Sequence, residues 1–232
     1  MGKRRDGFSL LELLVIVAIL AMTMGILLPV LSGARASARH VRCLANLRTC
    51  AAGWRLHAHD HDDRTPALGV PWSSEPNWAL VVMRHAGSPV PSADALPTGE
   101  DAVLVCPSTQ ALHADVPMSR TYAANVTGFA GAPGDRGDFD AEPTFAQFSR
   151  VAWPAHTPML LDSKAIPPGP GLPPPTRTAS VIDFRDESHV SERIGRVHGA
   201  SPLGGHFHVA WYDGSAARRD AVEDAWRRPI NE

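Results

Sequence analysis

The chain has 232 residues, with 22 Lys or Arg against 24 Asp or Glu and a formal net charge of −2. That length accommodates one modest domain beside a membrane segment, and the near balance of charge excludes the basic surplus of a nucleic-acid-binding surface. Setting aside Lys3, Arg4, Arg5, Asp6 and Glu12 leaves about −3 beyond residue 31, which does not change that conclusion.

The chain begins with a basic cluster, Lys3, Arg4 and Arg5, ahead of an apolar run over residues 7–31. A run of this length predicts a transmembrane helix. It carries one carboxylate, Glu12. A charge inside such a segment costs roughly 2.5–3.5 kcal/mol on insertion scales, so Glu12 is expected to have a functional reason and a partner. The basic leader places the N-terminus in the cytoplasm by the positive-inside rule, although Arg35, Arg39 and Arg42 after the run oppose it. An ordinary secretory signal has a shorter apolar core and gives Glu12 no purpose, even with Ala34-Arg35-Ala36 as a small-residue cleavage site. A plain anchor explains length and basic flank but not the residues around Glu12.

The helix is expected to continue to about Ala58. Val41, Leu44, Leu47, Ala51, Trp54 and Ala58 recur at helical spacing and form one apolar stripe, with Arg39, Arg42, Arg48 and Arg55 off it. Pro29 should bend this helix and not end it. Gly53 costs about 1 kcal/mol inside a helix. On such a helix Cys43 and Cys50 lie two turns apart, about 10 Å along the axis, beyond disulfide reach. Either has Cys106 as an alternative partner, which leaves one free thiol; three reduced cysteines are the other outcome.

Beyond the helix, Ala102–Val105, Met159–Asp162 and Ser180–Phe184 read as strands. So does His206–Tyr212, whose alternation puts Phe207, Val209 and Trp211 on one face and His206 and His208 on a wetter one. Asp213-Gly214 supplies a hairpin turn. Residues 128–140, with four glycines and three aspartates, and the proline-rich residues 167–175 read as loops.

The contiguous Gly7, Phe8, Ser9, Leu10, Leu11 and Glu12, after a basic leader and before a membrane-length helix, resemble the N-terminus of type IV pilins and of type II secretion pseudopilins. The resemblance implies that a prepilin peptidase cuts between Gly7 and Phe8 and methylates the Phe8 amine. It also implies that Glu12 pairs with the Phe8 amine of a neighbouring subunit during assembly. A narrower resemblance, to pilin-like proteins abundant in planctomycetes, rests on several further segments. These are Cys43-Leu-Ala-Asn46-Leu47, the acidic turn before Pro66, Cys106-Pro107-Ser108, Thr121-Tyr122-Ala-Ala-Asn125 and the terminal Asp213-Gly214. That group carries a His-x9-Asp-Gly ending. Here His198 has fourteen residues before Asp213 and His206 has six, which indicates an insertion of about five residues after His198-Gly199.

Residues 57–63 hold the densest set of ligand types. His57 and His61 are spaced for zinc on one helix face. Asp60, Asp62 and Asp63 offer calcium its oxygens, and some pseudopilins bind calcium in the globular domain. The remainder of a coordination shell is missing, so the segment reads as a solvated helix end and no cofactor is expected. His198, His206, His208 and Asp213, with Ser201 and Ser215 nearby, invite a hydrolase interpretation, but no Gly-x-Ser-x-Gly elbow accompanies them.

The expected fold is therefore α+β and pilin-like: a leader over 1–7, a transmembrane helix over 8–31, its amphipathic continuation over 32–58, and a β-rich domain over 59–232. The helix is expected to pack on a small antiparallel sheet with long loops. The expected function is that of a non-enzymatic structural subunit of a type IV pilus or secretion pseudopilus. Its partners would be prepilin peptidase, other pilin subunits and inner-membrane lipid, with the C-terminal domain periplasmic or extracellular. The alternative is an anchored binding module or metal-dependent hydrolase that uses the His/Asp-rich segment.

Overall fold

A computed structural model describes residues 8–68, 77–87, 95–129, 145–165, 177–199 and 205–230. The expected loops at 167–175 and, apart from residues 128 and 129, at 128–140 lie outside the described residues. The chain divides into two compact units, Met1–Ala38 and Arg39–Glu232.

In the first unit the described residues form the N-terminal part of helix α1 (Leu10–Asp60), which continues through Pro29. Every residue from 8 to 38 is exposed. Leu13 and Ile19 each keep 58 % of their surface and Leu28 67 %. An apolar helix with no buried side requires lipid or other helices around it.

In the second unit the remainder of α1 lies against a five-stranded sheet. The strands are β1 (Tyr122–Asn125), β2 (Pro158–Asp162), β3 (Val181–Ile182), β4 (Phe207–Trp211) and β5 (Ala216–Arg219), in the order β3-β1-β2-β4-β5. Pairing is antiparallel except between β1 and β3, which run parallel. The sheet is thus mixed, not the antiparallel one expected. A parallel pair needs a crossover connection, and the long segment between β1 and β3, which contains β2, supplies it.

The strands β1, β2 and β4 are buried along their whole length, so both sheet faces are covered and polar alternation is lost. Ala124, Leu160 and Ala210 are cross-strand neighbours on the α1 face, in one core with Leu47, Cys50, Ala51 and Trp54. Ala123, Leu161 and Val209 are neighbours on the other face, where they pack with Phe184, Phe207, Trp211 and Trp226. Helix α4 (Glu187–Glu192), capped by the Asp186 carboxylate accepting Ser188 N–H at 2.8 Å, places Val190 against this second core.

The buried face of α1 runs through Cys43, Leu47, Cys50, Ala51, Gly53, Trp54, His57 and Ala58. The predicted stripe holds from Leu44, which is half-buried against the core, onward, but Val41 is 63 % exposed. Helix α2 (Trp78–His85), capped by Asn77, buries residues 78 to 83 on all sides, as expected of a helix enclosed in a core. It passes α1 at Gly53, where a Cβ would come within 3.3 Å of Val82 Cα. The glycine is there for backbone proximity, which offsets its poor helix propensity.

Ala102–Val105 is not a strand. Ala102 N–H bonds to Gly99 O at 3.2 Å and Val105 N–H to Ala102 O at 3.0 Å, so the segment coils into consecutive turns and delivers Pro107 to the first turn of α3 (Pro107–Leu112). Leu104 and Val105 are fully buried. A four-residue apolar run records burial without fixing backbone geometry.

Candidate functional site

Two regions carry chemistry beyond packing. The first is the start of α1. Ser9 Oγ accepts Leu11 N–H at 3.3 Å, and Glu12 Oε2 accepts Ser9 N–H at 2.9 Å. This reciprocal pair is a capping box. Glu12 therefore satisfies one of the free donors of its own helix start, and its carboxylate sits where the helix dipole favours negative charge. Phe8, 75 % exposed, immediately precedes the box. Gly7 lies outside the described residues.

The second region is a cluster of imidazoles between α1 and the sheet. β4 contributes His206, just before it, and His208, two positions on and therefore on the same face. That face is not wet, as the alternation suggested: His208 is fully buried and His206 is 9 % exposed. His198 joins them through an isolated antiparallel bridge to His206. His198 accepts from and donates to the His206 backbone at 2.7 and 3.1 Å. Gly205 makes that approach feasible, since a Cβ there would collide with the carbonyls of Arg196 and His198. From α1, His40 completes the group.

The ring nitrogens converge. His40 Nδ1 is 2.9 Å from His208 Nε2 and 3.4 Å from His206 Nε2. Asp162, at the end of β2 and fully buried, lies behind the cluster. Its Oδ2 is 2.9 Å from His198 Nε2, accepts the His208 backbone N–H at 2.8 Å, and is 3.5 Å from His208 Nδ1. Asp162 Oδ1 has no hydrogen-bond partner among the described residues. Burial, followed by mutual repulsion and the nearby Arg218, holds the rings of His40, His206 and His208 toward the neutral form. The pKa of His206 is lowered to about 4 and that of His208 to about 2, and that of His40 is also lowered. Neutral imidazoles present lone pairs, which are metal-ligand atoms. Among the described residues, His40, His198, His206 and His208 are a group whose ligand atoms all lie within 4.8 Å of one another.

Beside this cluster, Cys43 and Cys106 are joined in a disulfide with Cα atoms 4.8 Å apart. Cys106 Sγ lies 3.5 Å from His198 Nε2. As a disulfide, the two sulfurs offer no thiolate. Cys50 is free and buried, and burial pushes its thiol pKa up to about 12.

The residues proposed as ligands from the 57–63 segment are not among the convergent groups. His57 is buried and stacked on His61 with ring centroids 3.9 Å apart. His61 Nδ1 bonds to His57 O at 2.8 Å, Asp60 faces His59, and Asp63 Oδ2 accepts Ser149 N–H at 2.8 Å. Asp62 and Asp63 have φ of 52° and 65°, left-handed conformations that suit the exit from a helix. Asp213 is likewise spent on its turn. Its Oδ1 accepts Ser215 N–H at 2.8 Å and Oγ–H at 2.7 Å, and its carbonyl accepts from Arg55. Ser201 lies outside the described residues.

Sequence reasoning noticed His198, His206 and His208 but did not connect them to His40 or Asp162. The His-x-His period on a strand was the available signal, since it puts two imidazoles on one face. Nothing local marks His40, which is 166 residues away from His206.

Residues 2–28 match the family model of the prokaryotic N-terminal methylation motif. No curated protein and no solved structure matches the chain. The motif match supports a pilin-type prepilin peptidase substrate, and with the apolar part of α1, the one membrane-length helix among the described residues, it supports anchoring by a single N-terminal helix.

Proposed function

We propose that this chain is a pilin-like structural subunit, cut between Gly7 and Phe8, methylated at the Phe8 amine, and assembled through its N-terminal helix into a type IV pilus or secretion pseudopilus. The observation that carries this reading is the methylation motif over residues 2–28, followed by a helix with no buried residue before Arg39. In this proposal the leader stays in the cytoplasm and the globular unit lies on the far side of the inner membrane. The capping box bears on assembly. Ser9 N–H already holds Glu12 Oε2, so the carboxylate is oriented at the helix start, where a neighbour's Phe8 ammonium would meet it. An acid in lipid gains most from such a partner.

The mass of the membrane-extracted chain from cells with prepilin peptidase is expected to correspond to a start at Phe8 plus one methyl group. Retention of Met1 through Gly7 would remove the amine and end the proposal. Glu12→Ala is expected to leave membrane insertion intact, since it removes roughly 2.5–3.5 kcal/mol of insertion cost, and to abolish incorporation into filaments. Normal incorporation would exclude the pairing role of the carboxylate.

A further inference from the structure

We infer that His40, His206 and His208 form a binding site for a divalent transition-metal ion of the zinc class, with Asp162 and His198 as its outer support. Three observations on separate elements carry this.

The donor set is the first. His40 Nδ1, His206 Nε2 and His208 Nε2 face one another at 2.9 and 3.4 Å. Ligand nitrogens around a tetrahedral zinc ion with bonds of 2.0–2.1 Å are about 3.3 Å apart. The two separations to His40 Nδ1 lie within a few tenths of an ångström of that spacing, and the ligand atoms of the group all lie within 4.8 Å of one another. An all-imidazole set selects zinc and its neighbours over magnesium or calcium, which take oxygen ligands.

The second is the carboxylate behind the rings. Ligating histidines characteristically present the other ring nitrogen to a carboxylate, which fixes the tautomer. His208 Nδ1 lies 3.5 Å from Asp162 Oδ2. That nitrogen makes no hydrogen bond among the described residues, so the carboxylate stands ready to take its proton, while Nε2 is the atom turned toward His40. His198 Nε2, at 2.9 Å, holds the same carboxylate oxygen in place.

The third is an unused acceptor. Asp162 is fully buried, no Lys or Arg among the described residues pairs with it, and its Oδ1 has no hydrogen-bond partner among the described residues. A buried polar atom in that state is costly. A cation held by the imidazoles beside it would offset that cost. The ion would fasten α1 to β4 across 166 and 168 residues of chain. One tetrahedral position is left for water.

Binding at this site is independent of filament assembly. The test uses the full-length chain, purified without a histidine tag in detergent, stripped with a chelator and dialysed against micromolar zinc. About one zinc per chain is expected, with a melting temperature that rises with zinc. H40Q and H206Q, checked for unchanged circular dichroism, should each retain less than about a tenth of that metal and lose the zinc-dependent rise. H40Q is the milder change, because His40 is only half-buried. D162N should keep the stoichiometry but weaken affinity about 10–100-fold. H61Q should change neither. Absence of retained zinc in the stripped and reloaded chain would overturn the site. So would full retention in both H40Q and H206Q, loss of the metal in H61Q, or sulfur scattering in the zinc absorption spectrum.

Discussion

His57 shows how a single buried side chain makes stability depend on acidity. It is 3 % exposed on the inner face of α1. Burial first, then His61, His85 and Arg84, lower its pKa to about 4, with Asp60 opposing. In the unfolded chain an imidazole titrates near 6.5. Between these values the unfolded chain binds more protons than the folded one, so stability falls as pH drops from about 6.5 toward 4 and is unaffected above that window. The full loss, reached below pH 4, is on the order of 3 kcal/mol. Urea denaturation of the His57→Gln variant should show a flatter pH dependence below 6.5, and an unaltered slope would show that His57 contributes nothing to it. This histidine looked like a zinc ligand in the sequence because its spacing from His61 is right. What the spacing does not record is the rest of the packing. α2 closes over the same turn and brings His85 within 6.5 Å of His57, so the ring is used as core.

Helix α1 was the most legible element. Its length and apolar run are written locally, as is the stripe from Leu44 to Ala58, because helical periodicity reports which side is covered. The strands β2 and β4 were also legible, since short apolar runs ended at recognisable turns. Three of the misses share one physical origin. Ala102–Val105 was misjudged, β1 was not anticipated as a strand, and α2 was not recognised as a helix, because a segment covered on all sides carries no alternation to distinguish backbone types. Trp54 tests the packing of α1. It is fully buried, with Trp78 of α2 at 6.2 Å between ring centroids. Trp54→Ala should cost about 3–5 kcal/mol, measured by chemical denaturation. A loss under about 1 kcal/mol would mean that α1 is only loosely seated.

The α+β class was legible, but the pairing order and the parallel β1–β3 contact were not, because they depend on crossovers that no local pattern encodes. The histidine cluster is of the same kind: its members come from α1, from β4 and from the segment before β4, and only the folded chain unites them. The Cys43–Cys106 link, spanning 63 residues, is another long-range choice, since helix geometry excluded Cys43–Cys50 but left two partners for Cys106. Closing a loop of that length stabilises the fold by about 4 kcal/mol in the chain-entropy account. Denaturation with and without reductant, or of Cys106→Ser, should show a loss of that order. In the oxidised protein, thiol titration should find no reactive group until unfolding and then one, from Cys50. A reactive thiol in the native state would contradict the bonding described.

The outer strands of the sheet have a consequence of their own. β3 is two residues long, and Arg193 donates to its Val181 carbonyl at 3.2 Å. β5 ends in Arg218 and Arg219, and Arg48 donates to its Ala216 carbonyl at 3.3 Å. Guanidinium groups thus occupy acceptors on both borders, where a foreign strand would otherwise add itself. These two described borders are therefore poor templates for strand addition by another chain.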